Sequence, residues 1–203
     1  QDAIDSIVEM MMKTFNKEQA IIYNTIQMYR HDRLNYLKKI HENSKEEGYF
    51  IGVKLVRGAY LEKENERAKK MDYPTPIQPN KKACNKDYDS ALEYACENIH
   101  GISICAGTHN EESSLFLTRL MELYNIKRNN PKIYFSQLLG MSDHISYNLA
   151  NKGYNTVKYV PYGPVKEVLP YLIRRAEENK SIAGQTGREL NLLKQEIKRR
   201  KSN

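Results

Sequence analysis

Two groups of residues in this sequence have types and spacings that could do chemistry. In Tyr171-Leu172-Ile173-Arg174-Arg175-Ala176-Glu177-Glu178, residues Tyr171, Arg174, Arg175 and Glu178 fall at i, i+3, i+4 and i+7, which is one helix face. Paired guanidinium groups grip a carboxylate in bidentate fashion, and a tyrosine beside them can cover an apolar ring. The alternative is a solvated face on which Glu178 pairs with Arg174 and Arg175 for roughly 0.3 kcal/mol each. The second group centres on Lys54, inside the apolar run Ile51-Gly52-Val53-Lys54-Leu55-Val56. A buried lysine is rare unless it is paired or functional. Either this is an edge strand with Lys54 in solvent, or the ammonium favours an anionic group or a developing negative charge.

Other polar and aromatic residues follow apolar runs of strand character. These are Gln27 and Tyr29, then Arg57-Gly58-Ala59-Tyr60, Thr108-His109-Asn110, Gln137-Leu138-Leu139-Gly140-Met141 and Tyr159-Val160-Pro161-Tyr162-Gly163. Sites on parallel α/β folds form beyond the C-terminal ends of strands, so a common site is one expectation. Gly58 is either a plain turn glycine or a point where a ligand approaches the backbone. His109 has no nucleophile and no second histidine at metal spacing beside it. It reads as a hydrogen-bonding group near a ligand or as a structural histidine, and no metal is expected.

The elements that must position these residues are short β-branched and aromatic runs alternating with helical patterns. The strands expected are 21–25, 51–56, 102–106, 132–135 and 156–160. All are mostly apolar, as strands covered on both faces would be. Helices are expected over 3–13, 33–41, 88–99, 111–124, 165–178 and 188–200, with Asn110 as an N-cap. The loop 73–80 carries Pro74, Pro76 and Pro79 and reads as an irregular excursion. The alternation argues for a parallel α/β sheet or barrel, but a closed (β/α) barrel needs eight strands and this pattern has five.

The chain has 203 residues, of which 40% are hydrophobic, which excludes a wholly disordered or fibrous chain and suits one domain or a large piece of one. Three cysteines make no CxxC pair and suit a reducing compartment. The net charge of +7 admits a nucleic-acid or anionic-membrane partner, although four cations sit together at Lys198-Arg199-Arg200-Lys201, where they also complement a helix C-terminus.

Five of these strings, taken in order, resemble the proline dehydrogenase family of flavoenzymes in its eukaryotic, mitochondrial branch. They are Lys-Leu-Val-Arg-Gly-Ala-Tyr (54–60), Thr-His-Asn (108–110), Gln-Leu-Leu-Gly-Met (137–141), Tyr-Val-Pro-Tyr-Gly (159–163) and Tyr-Leu-Ile-Arg-Arg-Ala-Glu-Glu-Asn (171–179). The resemblance implies a distorted (β/α)8 TIM-type barrel, of which residues 1–203 are the C-terminal portion of a single domain carrying about strands four to eight and the C-terminal helices. A family lysine on the second strand and an aspartate on the third then have no counterpart here.

The resemblance also implies roles. Gln27, Arg57, Gly58, Ala59, Thr108, His109, Asn110 and Gln137 are similar to the family's FAD contacts. Lys54 stands beside the flavin N5, where bacterial members have Arg, and would stabilise negative charge on the reduced ring. Tyr60, Leu139, Tyr159 and Tyr171 resemble walls of the substrate pocket. Arg174 and Arg175 resemble the pair that binds the substrate carboxylate, with Glu178 as an anchor that reaches the cofactor. The implied reaction is oxidation of L-proline to Δ1-pyrroline-5-carboxylate, with hydride leaving ring carbon C5 for flavin N5 and electrons passing to a quinone. The implied location is the matrix side of the mitochondrial inner membrane, with a basic C-terminal helix (Leu190, Leu193 and Ile197 on one side) able to rest on anionic lipid. Two other readings compete. One is a hydroxyproline dehydrogenase on the same fold, mildly disfavoured because a bulky Tyr159 would crowd a ring hydroxyl. The other is a basic nucleic-acid or membrane-binding module. It is disfavoured because the Lys and Arg of the five motifs are spread over strand ends, so no nucleic acid is expected.

Overall fold

The computed structural model describes the backbone of residues 2–181 and 185–201; the side chains of 2, 176–189, 192 and 193 lie outside the description. In chain order the elements are α1 (Asp2–Phe15), β1 (Tyr23–Gln27), α2 (Arg33–Glu47), β2 (Ile51–Val56), α3 (Leu61–Lys70), α4 (Lys81–Glu97) and β3 (Ile102–Gly107). They continue as α5 (Glu111–Leu123), β4 (Ile133–Leu138), α6 (Asp143–Asn151), β5 (Thr156–Tyr159), α7 (Val165–Ser181) and α8 (Gln185–Lys201). Two compact units result, Gln1–Lys158 and Tyr159–Asn203.

The sheet runs β1-β2-β3-β4-β5, and the first four strands pair parallel. This strictly sequential order decides between the two architectures left open by the pattern. A doubly wound sheet reverses its strand order at a switch point, whereas a barrel never does. The five strands are therefore an arc of a TIM-type barrel.

The register shows which face is which. Ile26, Leu55, Ala106 and Phe135 form one row across the sheet. All four are buried, in one core with Leu37, Ile40, Tyr88, Leu92, Leu117 and Leu120 of α2, α4 and α5. Each large side chain so buried contributes about 2 kcal/mol. The adjacent row, Thr25-Lys54-Cys105-Tyr134, points to the other face, where Thr25 is exposed and the rest are half-buried. The strands are thus not fully covered on both faces, as their apolar composition suggests. Helices bury one face, and the concave face, which a complete barrel fills with side chains from all its strands, is only partly covered here, with Gly52, Ser103 and Ser136 buried and Lys54, Cys105 and Tyr134 half-buried.

Several boundaries differ from the pattern for identifiable reasons. The first strand begins at Tyr23 rather than Ile21 because the buried Asn16 amide takes that stretch of backbone. Its Oδ1 accepts from Ile21 N (3.0 Å) and Ile22 N (2.8 Å), and its Nδ2 donates to Ile22 O and Phe50 O (both 2.9 Å). The fourth strand runs on to Leu138 and takes in Gln137. Helix α2 continues past His41 until Gly48 turns left-handed (φ +66°) and its N–H caps Ser44 O. Helix α4 starts early, at Lys81, because the Asn80 side chain accepts from Ala83 N. Two helices have no apolar stripe long enough to read: α3, which is highly charged, and the short α6. The crossover helix between β2 and β3 is α4; α3 and the proline-rich segment 71–80 precede it. That segment is an ordered strap. Ile77 bridges Arg30, Gln78 N donates to Tyr29 O (2.7 Å) and His31 N to Pro76 O (3.0 Å).

Candidate active site

Within the first unit, the strand C-terminal ends bring the motif residues together. Lys54 lies on an interior strand, between β1 and β3, so the edge-strand reading is overturned. Its register partners Thr25 and Cys105 share the concave face. Burial raises the Cys105 thiol pKa, and the Lys54 charge partly opposes this. Gln27, the last residue of β1, is half-buried.

The next loop is held from within. Gly58 has φ +117°, and a Cβ there would stand 1.8 Å from Cδ1 of the Tyr29 ring. Glycine is therefore required by a tyrosine of this chain and by the backbone. Tyr29 is buried with Ile77 and Cys84. Its hydroxyl makes no hydrogen bond among the described residues, and burial with the nearby Glu64 charge pushes its pKa up to about 12. Tyr60 is exposed and Ala59 half-buried.

Arg57 reaches across to the neighbouring loop. Its Nη1 donates to Thr108 Oγ1 (2.8 Å), its Nη2 to Ser113 Oγ (2.9 Å) and its Nε to Asn85 Oδ1 (2.7 Å). Thr108 Oγ1 also accepts from Asn110 N (3.1 Å), and Asn110 caps α5 by accepting from Ser113 N (2.9 Å). The expected cap is present. Gln137 is buried, donating from Nε2 to Thr108 O (3.2 Å) and accepting at Oε1 from Ser146 Oγ (2.8 Å). His109 Nδ1 sits 2.9 Å from Ser142 Oγ, and His144 Nε2 lies 2.6 Å from Glu111 Oε1. These two links tie the start of α5 to the start of α6. Ser142 takes a left-handed backbone (φ +52°) and does not cap α6, its hydroxyl being turned to His109. Lys158 fixes the same turn, donating to Met141 O (2.8 Å) and Asp143 Oδ1 (2.7 Å). Leu139 is exposed on it.

The second unit holds the other group. Tyr159 and Tyr171 meet edge to face, with ring centroids 6.0 Å apart. The Arg175 guanidinium lies over the Tyr171 ring at 5.1 Å. Arg174 Nε is buried and finds no hydrogen-bond partner among the described residues. A donor left so is costly unless an acceptor arrives from elsewhere. The Glu178 side chain lies outside the described residues. So does that of Leu193, while Leu190 and Ile197 on α8 are exposed. No helix is long and apolar enough to cross a membrane, and no cluster of His, Cys, Asp or Glu could hold a metal ion among the described residues.

The residues that pattern missed are those beneath the loops. Asn85, Asp89 and Ser113 look like ordinary helix polar residues. Only their contacts across elements single them out.

The family model described as proline dehydrogenase matches residues 1–188. Proline dehydrogenase 1, mitochondrial, of Homo sapiens is 43% identical, with 98% of this chain and 34% of that protein covered. The protein of the same name in Drosophila melanogaster is 39% identical, with 98% and 31% covered. Hydroxyproline dehydrogenase of Xenopus laevis is 40% identical, with 98% and 43% covered. Among solved structures, proline utilization A from Bdellovibrio bacteriovorus, inactivated by N-propargylglycine, superimposes with a TM-score of 0.80 at 27% identity, covering 87% of this chain and 18% of that one. The chain spans about a third of the length of the mitochondrial relatives it matches. A family model covering most of the sequence, relatives near 40% identity and a barrel arc with the same fold agree: the chain belongs to the proline dehydrogenase family.

Proposed function

We propose that this chain is the C-terminal portion of one FAD-dependent barrel domain that oxidises L-proline to Δ1-pyrroline-5-carboxylate and passes electrons to a quinone. The observation that carries the substrate is the cluster in the second unit. Tyr159 and Tyr171 edge to face, Arg175 over the Tyr171 ring, and a buried Arg174 donor without a partner among the described residues suit a molecule that joins an apolar ring to a carboxylate. Arg174 and Arg175 bind the carboxylate, with Glu178 anchoring them, and Tyr159 and Tyr171 wall the ring.

The first unit's donors suit a flavin. Lys54 puts a cation on the concave face, suited to the negative charge of a reduced flavin ring. Gln27, Gly58, Ala59, Thr108, His109, Asn110 and Gln137 supply or shape its remaining contacts, several through backbone, since the Gln137 side-chain amide and the Asn110 Oδ1 are already bonded to protein. Bound flavin supplies the hydride acceptor.

The names of the relatives support a mitochondrial location, and we place the protein on the matrix side of the inner membrane, with α8 as its peripheral contact. A second reading, oxidation of trans-4-hydroxy-L-proline, is favoured by the Xenopus laevis relative.

The test is the visible spectrum of the longest purified protein containing this sequence, before and after each amino acid under anaerobic conditions. Flavin bands that bleach with L-proline support the first reading. Bleaching with hydroxyproline alone supports the second, and a folded protein without flavin overturns both.

A further inference from the structure

Arg57 is gripped more completely than a ligand-facing arginine should be. Three of its N–H directions end on protein, on Asn85 of α4, Thr108 at the end of β3 and Ser113 of α5. Its guanidinium also lies over the fully buried Tyr88 ring of α4 at 4.3 Å. Ser113 can accept from Arg57 because its own proton goes to Asp89 Oδ1 at 2.7 Å. Asn85 and Asp89 are one helical turn apart on α4, so one face of that helix closes the network from behind. Thr108 and Ser113 are 6% and 2% exposed; the Thr108 hydroxyl accepts two of these bonds, and the Ser113 hydroxyl accepts one and donates one.

The network joins two loops that leave neighbouring strands. Arg57-Gly58-Ala59 follows β2, and Thr108-His109-Asn110 follows β3. Without it, the first loop would still be held by Tyr29 and the second by Gln137 and Ser142, each separately from the other. With it, a single planar group with fixed donor directions holds both at once, which a lysine point charge cannot do. We propose that Asn85, Asp89 and Ser113 are positioning residues that lock Arg57, and that Arg57 in turn sets the spacing of the two loops that bind the flavin. Arg57 thus acts by its reach between loops and not by contact with the cofactor. The proposal rests on the flavin reading above.

The test uses the full-length protein. FAD affinity is measured by fluorescence quenching, and the thermal midpoint of the flavin-free form is measured beside it. Ser113→Ala removes the shared hydroxyl at a helix position that tolerates alanine, whereas Ser113→Thr keeps it. Ser113→Ala is expected to weaken FAD binding about tenfold, with the flavin-free midpoint little changed and with Ser113→Thr restoring the affinity. Asn85→Ala is expected to weaken it similarly, and the double variant to lose less than the product of the two. Should Ser113→Ala not fold, Asp89→Asn, which keeps an acceptor but removes the charge, is expected to weaken binding about threefold. Wild-type affinity in the alanine variants, or a Ser113→Thr protein as weak as Ser113→Ala, overturns the proposal while leaving the enzyme reading intact. A folded wild-type protein that takes up no FAD overturns both.

Discussion

At the scale of single residues, Gly58 and Arg174 show two opposite kinds of constraint. Gly58 is crowded from within, so Gly58→Ala must both strain a backbone at φ +117° and displace the Tyr29 ring. The expected loss is about 3 kcal/mol of unfolding free energy. Because the clash has one partner, Tyr29→Ala in the same protein should recover part of it, and urea denaturation of the four species would show whether the two losses fail to add. Arg174 is the reverse, a buried donor awaiting an acceptor. Arg174→Lys keeps the charge but not the fork, and should lower kcat/KM for L-proline about 30-fold, mostly through KM, in steady-state assays of the full-length protein. Sequence alone singled out both positions for a simple reason: a glycine at a strand end and two adjacent arginines on a helix face are locally unusual. Asn85, Asp89 and Ser113 were illegible because nothing in their own neighbourhood distinguishes them. Their meaning lies in a guanidinium that arrives from another strand.

At the scale of elements, the alternation of strands and helices was readable, and the second strand was placed to the residue, because five apolar positions around Lys54 leave little choice. What periodicity could not see was competition for backbone groups. Asn16 spends its two donors and its two acceptor sites on the approach to β1 and β2, and the strand starts where those bonds stop. Asn16→Ala would leave buried backbone groups without partners, costing about 3 kcal/mol, and amide exchange should quicken first at Ile21 and Ile22. Nor could composition reveal that apolar strands are only partly covered on one side. Valine, cysteine and glycine on the concave face read like core residues because in a complete barrel they would be core.

At the scale of the whole molecule, acid sensitivity follows from one histidine far from the candidate site. His41 is 1% exposed, with Nδ1 2.8 Å from the Tyr94 hydroxyl. Burial, helped by the Lys45 charge and opposed by Glu42, lowers its pKa below the ordinary value of 6.5. The unfolded chain therefore takes up a proton at a pH where the folded chain still refuses it. Stability should be level above about pH 6.5 and decline as the pH falls towards the folded-state pKa. Thermal unfolding between pH 7.5 and 5.5 (about the range in which an unperturbed histidine titrates) should show this decline in the wild type and a shallower one in His41→Gln. The order of the sheet has a consequence of another kind. A ribosome delivers these strands in the order in which they pair, so each finds its neighbour already made and none waits for the end of the chain. Even the detour through α3 and the strap less than doubles the loop to be closed before β3 docks, a penalty below about 0.6 kcal/mol. Such a sheet can grow like masonry, course upon course, and interruption at any strand leaves a shorter wall with a ready edge for the next.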